Sequence, residues 1–140
     1  MIANKNYFTE NLVKDTNIVV FAFMGDSVYT TFIRSKIVPL GYKTGKLNYL
    51  CNKYVCATGQ AVALDYIKES LTEEEDRICN TARNYHTKNI AKHATIETYK
   101  KATSFESVIG YLYLTGQNER LDEILNKVYL KVSEYYDNRG

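Results

Sequence analysis

The chain has 140 residues, 45% of them hydrophobic, which suits one compact unit with a core of its own. Charged residues make up 24% and the net charge is only +2, which excludes a disordered chain and gives no overall pull toward polyanions. One proline and seven glycines leave few chain breaks and favour helices over a many-stranded sandwich.

The opening stretch, residues 4–14, is polar, with Phe8, Leu12 and Val13 as docking points. MIANKNYFTENLVKD has no apolar signal core, and no stretch approaches the ~20 apolar residues of a membrane span, so a cytoplasmic protein is expected. Asp15, Thr16 and Asn17 are good caps for a helix predicted over 18–37. Its i, i+3, i+4 lattice holds Val19, Ala22, Phe23, Asp26, Tyr29, Thr30 and Ile33, which puts the carboxylate of Asp26 toward the core. Pro39 and Gly41 end this helix. A second helix is predicted over 44–70, with Leu47, Leu50, Tyr54, Ala57, Ala61, Leu64 and Ile67 as its stripe and a kink or close contact at Gly59.

Thr72 to Glu75 forms a capping box that opens a short helix through about residue 84. Residues 85–94, YHTKNIAKHA, lack periodicity and read as a basic loop. Thr95 caps a helix to about Leu114, with a break near Thr103, and Gly116 stops it. A last helix begins at Asn118 or Glu119 and carries Leu121, Ile124, Leu125, Val128 and Val132 on one face. No segment shows strand alternation, so the predicted architecture is an all-α bundle forming a single domain over 1–140.

Cys51, Cys56 and Cys79 are odd in number and lack metal-ligand spacing, which points to buried thiols in a reducing compartment. Charge is unevenly distributed. Residues 34–64 hold Arg34, Lys36, Lys43, Lys46 and Lys53 and no acid. Residues 77–101 hold Arg77, Arg83, Lys88, Lys92, Lys100 and Lys101 against Glu97 alone. Such asymmetry can build a basic face.

Two carboxylates do not fit their surroundings. Asp26 interrupts one apolar helix, and Glu106 interrupts another, ATSFESVIGYLYL at 102–114. A carboxylate in such a place is costly to desolvate unless it is paired, hydrogen-bonded or bound to a metal. Each alone is explained equally well by an ion pair with a Lys or Arg. Two facing each other would repel, and one would protonate, unless a cation lay between them. Oxygen ligands suit Mg²⁺ or Mn²⁺ rather than zinc. A hard cation beside a basic face suggests phosphodiester chemistry, without choosing between RNA, DNA and nucleotides.

Phe23-Met24-Gly25-Asp26-Ser27-Val28 resembles the ribonuclease III signature, Phe-Leu-Gly-Asp-Ala/Ser-Val. Phe105-Glu106-Ser107-Val108-Ile109-Gly110-Tyr111-Leu112-Tyr113-Leu114 resembles the second motif of that family, Phe-Glu-Ala-x-x-Gly-x-x-Tyr-Leu. The likeness spans roughly 17–130 and is strongest to the short branch, Mini-ribonuclease III, which lacks a double-stranded-RNA-binding domain. Ala82-Arg83-Asn84 and the run from Tyr99 to Glu106 add to it. Gly25 and Gly110 then imply a close helix approach.

The resemblance implies that Asp26 and Glu106 are catalytic and bind Mg²⁺, with Mn²⁺ as a substitute. It implies a homodimer that cuts each strand of double-stranded RNA to 5′-phosphate and 3′-hydroxyl ends. The implied biological substrate is the precursor of 23S (large-subunit) ribosomal RNA, with ribosomal proteins as further partners. Phe21, Phe23, Tyr29 and Phe105 are candidates for the dimer contact. Arg83, Asn84 and Lys88, then Lys46, Lys53 and Lys100, are candidates for the duplex backbone. His86 and His93 are assigned surface roles. Ala22 and Thr103 stand where full-length ribonuclease III carries two further acids, which leaves one or two metals open. Two rivals stay open: a non-catalytic RNA-binding or ribosome-associated protein on the same fold, and a helical adaptor with ion-paired carboxylates.

Overall fold

A computed structural model of the chain describes residues 7–85 and 95–139. Among them every regular element is helical: α1 (Glu10–Asp15), α2 (Ile18–Ile37), α3 (Thr44–Val55), α4 (Ala57–Ile67), α5 (Glu73–Arg83), α6 (Ile96–Leu114) and α7 (Asn118–Asp137). Short 3₁₀ turns follow α2 and α4, at Val38–Leu40 and Lys68–Ser70. No helix among the described residues is long and apolar enough to cross a membrane.

Helix ends follow local chemistry. The Asn17 side chain accepts a hydrogen bond from the Val19 N–H at 3.2 Å and starts α2. Pro39 lies in the 3₁₀ turn that ends it. The capping box of α5 is complete: Thr72 Oγ1 accepts from the Glu75 N–H, and Glu75 Oε1 accepts from the Thr72 N–H. Thr95 caps α6 by accepting from the Thr98 N–H at 3.1 Å.

Two predicted boundaries are corrected. The helix predicted over 44–70 divides at Cys56, whose backbone is extended (φ −69°, ψ 165°). The Cys56 thiol accepts the Gly59 N–H at 3.4 Å and so caps α4. Gly59 presses on the last turn of α3, where a Cβ would collide with the carbonyl oxygens of Lys53 and Tyr54. The break predicted near Thr103 does not occur. Its hydroxyl bonds back to the Tyr99 carbonyl at 3.0 Å, so α6 continues through it.

The core centres on α6, against which α2, α4 and α5 pack, with α2 the most extensive neighbour. Phe105, Val108, Ile109 and Leu112 are wholly buried, as a helix apolar on nearly every side requires. Phe8 and Val13 dock as expected, Phe8 donating its N–H to the Leu114 carbonyl at 2.7 Å and meeting Phe21 edge-on, while Leu12 stays exposed.

The phase of α2 differs from the predicted stripe. Its buried residues are Ile18, Phe21, Gly25, Val28, Tyr29, Phe32, Ile33 and Ile37. Val19, Ala22 and Thr30 are half-buried, and Phe23 and Asp26 are exposed. The helix is thus turned by about one residue, ~100°, from the face read in the sequence. Asp26 lies beside the core rather than within it.

Candidate active site

The site is built on the closest approach of α2 and α6. A Cβ placed on Gly25 would overlap the carbonyl oxygen of Glu106, and one placed on Gly110 would overlap the carbonyl oxygen of Phe21. The contact is reciprocal: each helix presents a glycine to the other's backbone. Asp26 follows Gly25, and Glu106 is one turn before Gly110, so this contact brings the two carboxyls together.

Asp26 and Glu106 hydrogen-bond through their side chains. Burial, and then the hydrogen bond and negative charge of Asp26, push the Glu106 carboxyl up to about 8. A hydrogen bond from Gln60 opposes this rise. Among the described residues neither acid has an ion-pair partner.

Glu75 shows what a plainly structural buried carboxylate looks like. Arg120 grips it in two places, Nη2 to Oε1 at 2.8 Å and Nε to Oε2 at 2.9 Å. Burial raises its pKa, but the bonds from Arg120 and Thr72 outweigh that and hold it below the ordinary range. Glu106 is the reverse case, a half-buried acid whose nearest charge is another acid.

The donor chemistry fits a hard divalent cation. A pair of carboxyls sharing a hydrogen bond, with no basic partner, gains from a cation between them. Among the described residues no group of three or more His, Cys, Asp or Glu could hold a metal ion. Ala22 offers no ligand atom, and the Thr103 hydroxyl donates its proton to the Tyr99 carbonyl.

The basic candidates fall in two places. Arg83, near the end of α5, pairs with Glu97 of α6 at 2.7 Å, and exposed Asn84 is the C-cap of α5. Lys100 borders a cavity of about 50 Å³ with Val19, Ala82, Tyr85, Tyr99 and Thr103. Lys46 and Lys53 lie instead on α3. Lys46 sits over the ring of Tyr42 at 3.6 Å, and Lys53 over Tyr49 at 5.0 Å and Tyr136 at 5.5 Å. Lys88, His86 and His93 lie outside the described residues.

Three of the four aromatic candidates for a dimer contact are corrected. Phe21, Tyr29 and Phe105 are at most 1% exposed and pack within the subunit, Tyr29 edge-on against Phe105 at 4.9 Å. Phe23 alone faces outward, 81% exposed. The sequence reading missed Gln60, a polar residue 2% exposed in the apolar run ATGQAVALDYI. Its signal was the same as that of Glu106, a polar group on the buried side of a helix, but without charge to draw attention.

The ribonuclease III domain family matches residues 19–117, and the chain belongs to that family of endoribonucleases. Its relatives include members of one branch of that family. A Mini-ribonuclease 3 from Enterococcus faecalis is 40% identical over 86% of this chain and 94% of its own length. Another, from Clostridium tetani, is 38% identical over 95% of this chain and 89% of its own. The crystal structure of protein FN1578 from Fusobacterium nucleatum is similar with a TM-score of 0.78 at 31% identity, covering 84% of this chain and 94% of that one. The chain therefore stands with the Mini-ribonuclease 3 proteins of the ribonuclease III family.

Proposed function

We propose that the chain is a Mg²⁺-dependent endoribonuclease that hydrolyses double-stranded RNA as a homodimer, with Mn²⁺ as a substitute cation. The observation that carries this is the pair Asp26 and Glu106, brought together at the glycine contact of α2 and α6 with no ion-pair partner among the described residues. Asp26 and Glu106 would hold the metal, whose chemistry is to polarise a phosphoryl oxygen and lower the pKa of bound water. Asp26 reaches solvent and meets the substrate side, while Glu106 is anchored from behind by α4. Together they would orient the attacking water, and two acids would leave room around the cation for water and phosphate oxygens. Products with 5′-phosphate and 3′-hydroxyl ends follow from attack on phosphorus with loss of the 3′-oxygen.

Duplex RNA offers phosphates and 2′-hydroxyls rather than base edges, so the enzyme reads charge and shape. Arg83, Asn84 and Lys100, where the end of α5 meets the start of α6, are candidates to grip the duplex on one side. Lys46 and Lys53, stacked on tyrosines, would meet the duplex farther along. Large-subunit (23S) ribosomal RNA precursor is the natural substrate in this reading, and ribosomal proteins its neighbours there.

The test uses a generic RNA duplex with and without Mg²⁺. Asp26→Asn and Glu106→Gln should each lower the cleavage rate roughly a thousandfold or more, equivalent to about 4 kcal/mol of barrier. Folding should survive, because Asp26 is exposed and Gln copies the neutral form of Glu106. Normal cleavage by either variant would refute the assignment.

A further inference from the structure

Gln60 lies early in α4 and is buried. Its Nε2 donates to the carbonyl oxygen of Val55, the last residue of α3, at 3.1 Å. The same side chain lies beside the carboxyl of Glu106, whose raised pKa it opposes. An amide nitrogen carries two hydrogens, so one can serve Val55 and the other Glu106. The carbonyl of Val55 can only accept, which settles the orientation of the amide on chemical grounds. The corner that holds it is tight, with the Cys56 thiol capping α4 and Gly59 pressed on α3.

We propose that Gln60 is a positioning residue: clamped by the α3–α4 corner, its amide holds the Glu106 carboxylate turned toward Asp26, preorganising the pair for a divalent cation. The proposal rests on reading Asp26 and Glu106 as the metal-bearing pair. Its physical basis is that two acidic ligands give little redundancy. With no third carboxylate beside them among the described residues, the orientation of Glu106 must come from its surroundings. A hydrogen bond from behind a ligand does this and ordinarily changes metal affinity by about 10–100-fold.

A Gln that merely ties the corner would also be buried and bonded to Val55, so the test must separate the two roles. Mn²⁺ binding to the full 140-residue chain is measured by calorimetry, alongside its melting temperature, for the wild type, Gln60→Met and Asp26→Asn. Met keeps the length and bulk of Gln but donates nothing. Gln60→Met should bind Mn²⁺ about 10–100-fold more weakly, and its cleavage rate should recover toward wild type at saturating Mn²⁺. Wild-type affinity in Gln60→Met, with only a lowered melting temperature, overturns the proposal. If the wild type binds Mn²⁺ no better than Asp26→Asn, the metal reading itself has failed, and the proposal with it. Should Gln60→Met not fold, the side-chain NH₂ resonance of Gln60 in the wild type decides. It should shift on adding Mg²⁺ and in Glu106→Ala, and a resonance unmoved by both overturns the proposal.

Discussion

Glu106 is where a single proton separates two states of the molecule. Unfolded, its carboxyl titrates at the ordinary value near 4.5, and burial with Asp26 alongside raises this to about 8 in the native protein. Between those values the native state binds more protons than the unfolded one, so stability falls as pH rises. The contribution is complete below the unfolded value and is lost as pH passes the native one. Metal-free protein should therefore show a lower denaturant midpoint at about pH 8 than at about pH 5, and Glu106→Gln should flatten that slope. The cation requires the deprotonated form, so the Mg²⁺ concentration for half-maximal cleavage should fall as pH rises toward 8. Asp26 and Glu106 were legible as single letters because a charge inside an apolar run has few bland explanations. Gln60 was not, since an uncharged amide is unremarkable on a helix and its partner Glu106 belongs to another element. Nor was the Tyr29 hydroxyl, which is buried without a hydrogen-bond partner among the described residues.

At the scale of elements, the contact of α2 with α6 decides the site. A residue with a side chain at Gly110 must push against the Phe21 carbonyl, which cannot rotate away as a flexible side chain would. Gly110→Ala should cost about 3 kcal/mol in urea unfolding, at the upper end for overpacking. Cleavage should fall further than the unfolded fraction explains, because separating the helices separates Asp26 from Glu106. The ends of α2, α5 and α6 and the start of α7 were readable to within a residue or two, since caps are local chemistry. The phase of α2 was not. Its sequence is apolar around much of its circumference, so periodicity has little contrast, and the face buried is whichever meets α6. The division at Cys56 was equally hidden: a cysteine cap is uncommon, and only Gly59 hinted at the corner.

For the whole molecule, the homodimer is the open proposal, and Phe23 is its handle. Phe23 is 81% exposed three residues before Asp26, with Val20, also exposed, one turn earlier on the same side. A large apolar ring left in water beside a polar site is the kind of residue that a partner surface covers. Phe23→Glu should give a monomer in analytical ultracentrifugation. The subunit's own stability should change by no more than about 0.5 kcal/mol, because the ring packs on little within it. A dimer that survives the substitution would place the contact elsewhere.

The sequence by itself determined the class of fold, the order of the helices, the two carboxylates and the glycines beside them. Each of these is a matter of residue type at fixed spacing, which local physics reads directly. Only the tertiary structure decided that Asp26 is exposed while Glu106 is half-buried, that Phe21, Tyr29 and Phe105 are core, and that Gln60 is buried beside Glu106. Those outcomes depend on how α2, α4 and α6 are rotated about their axes. That rotation is set by packing among three helices at once, and no one segment contains it.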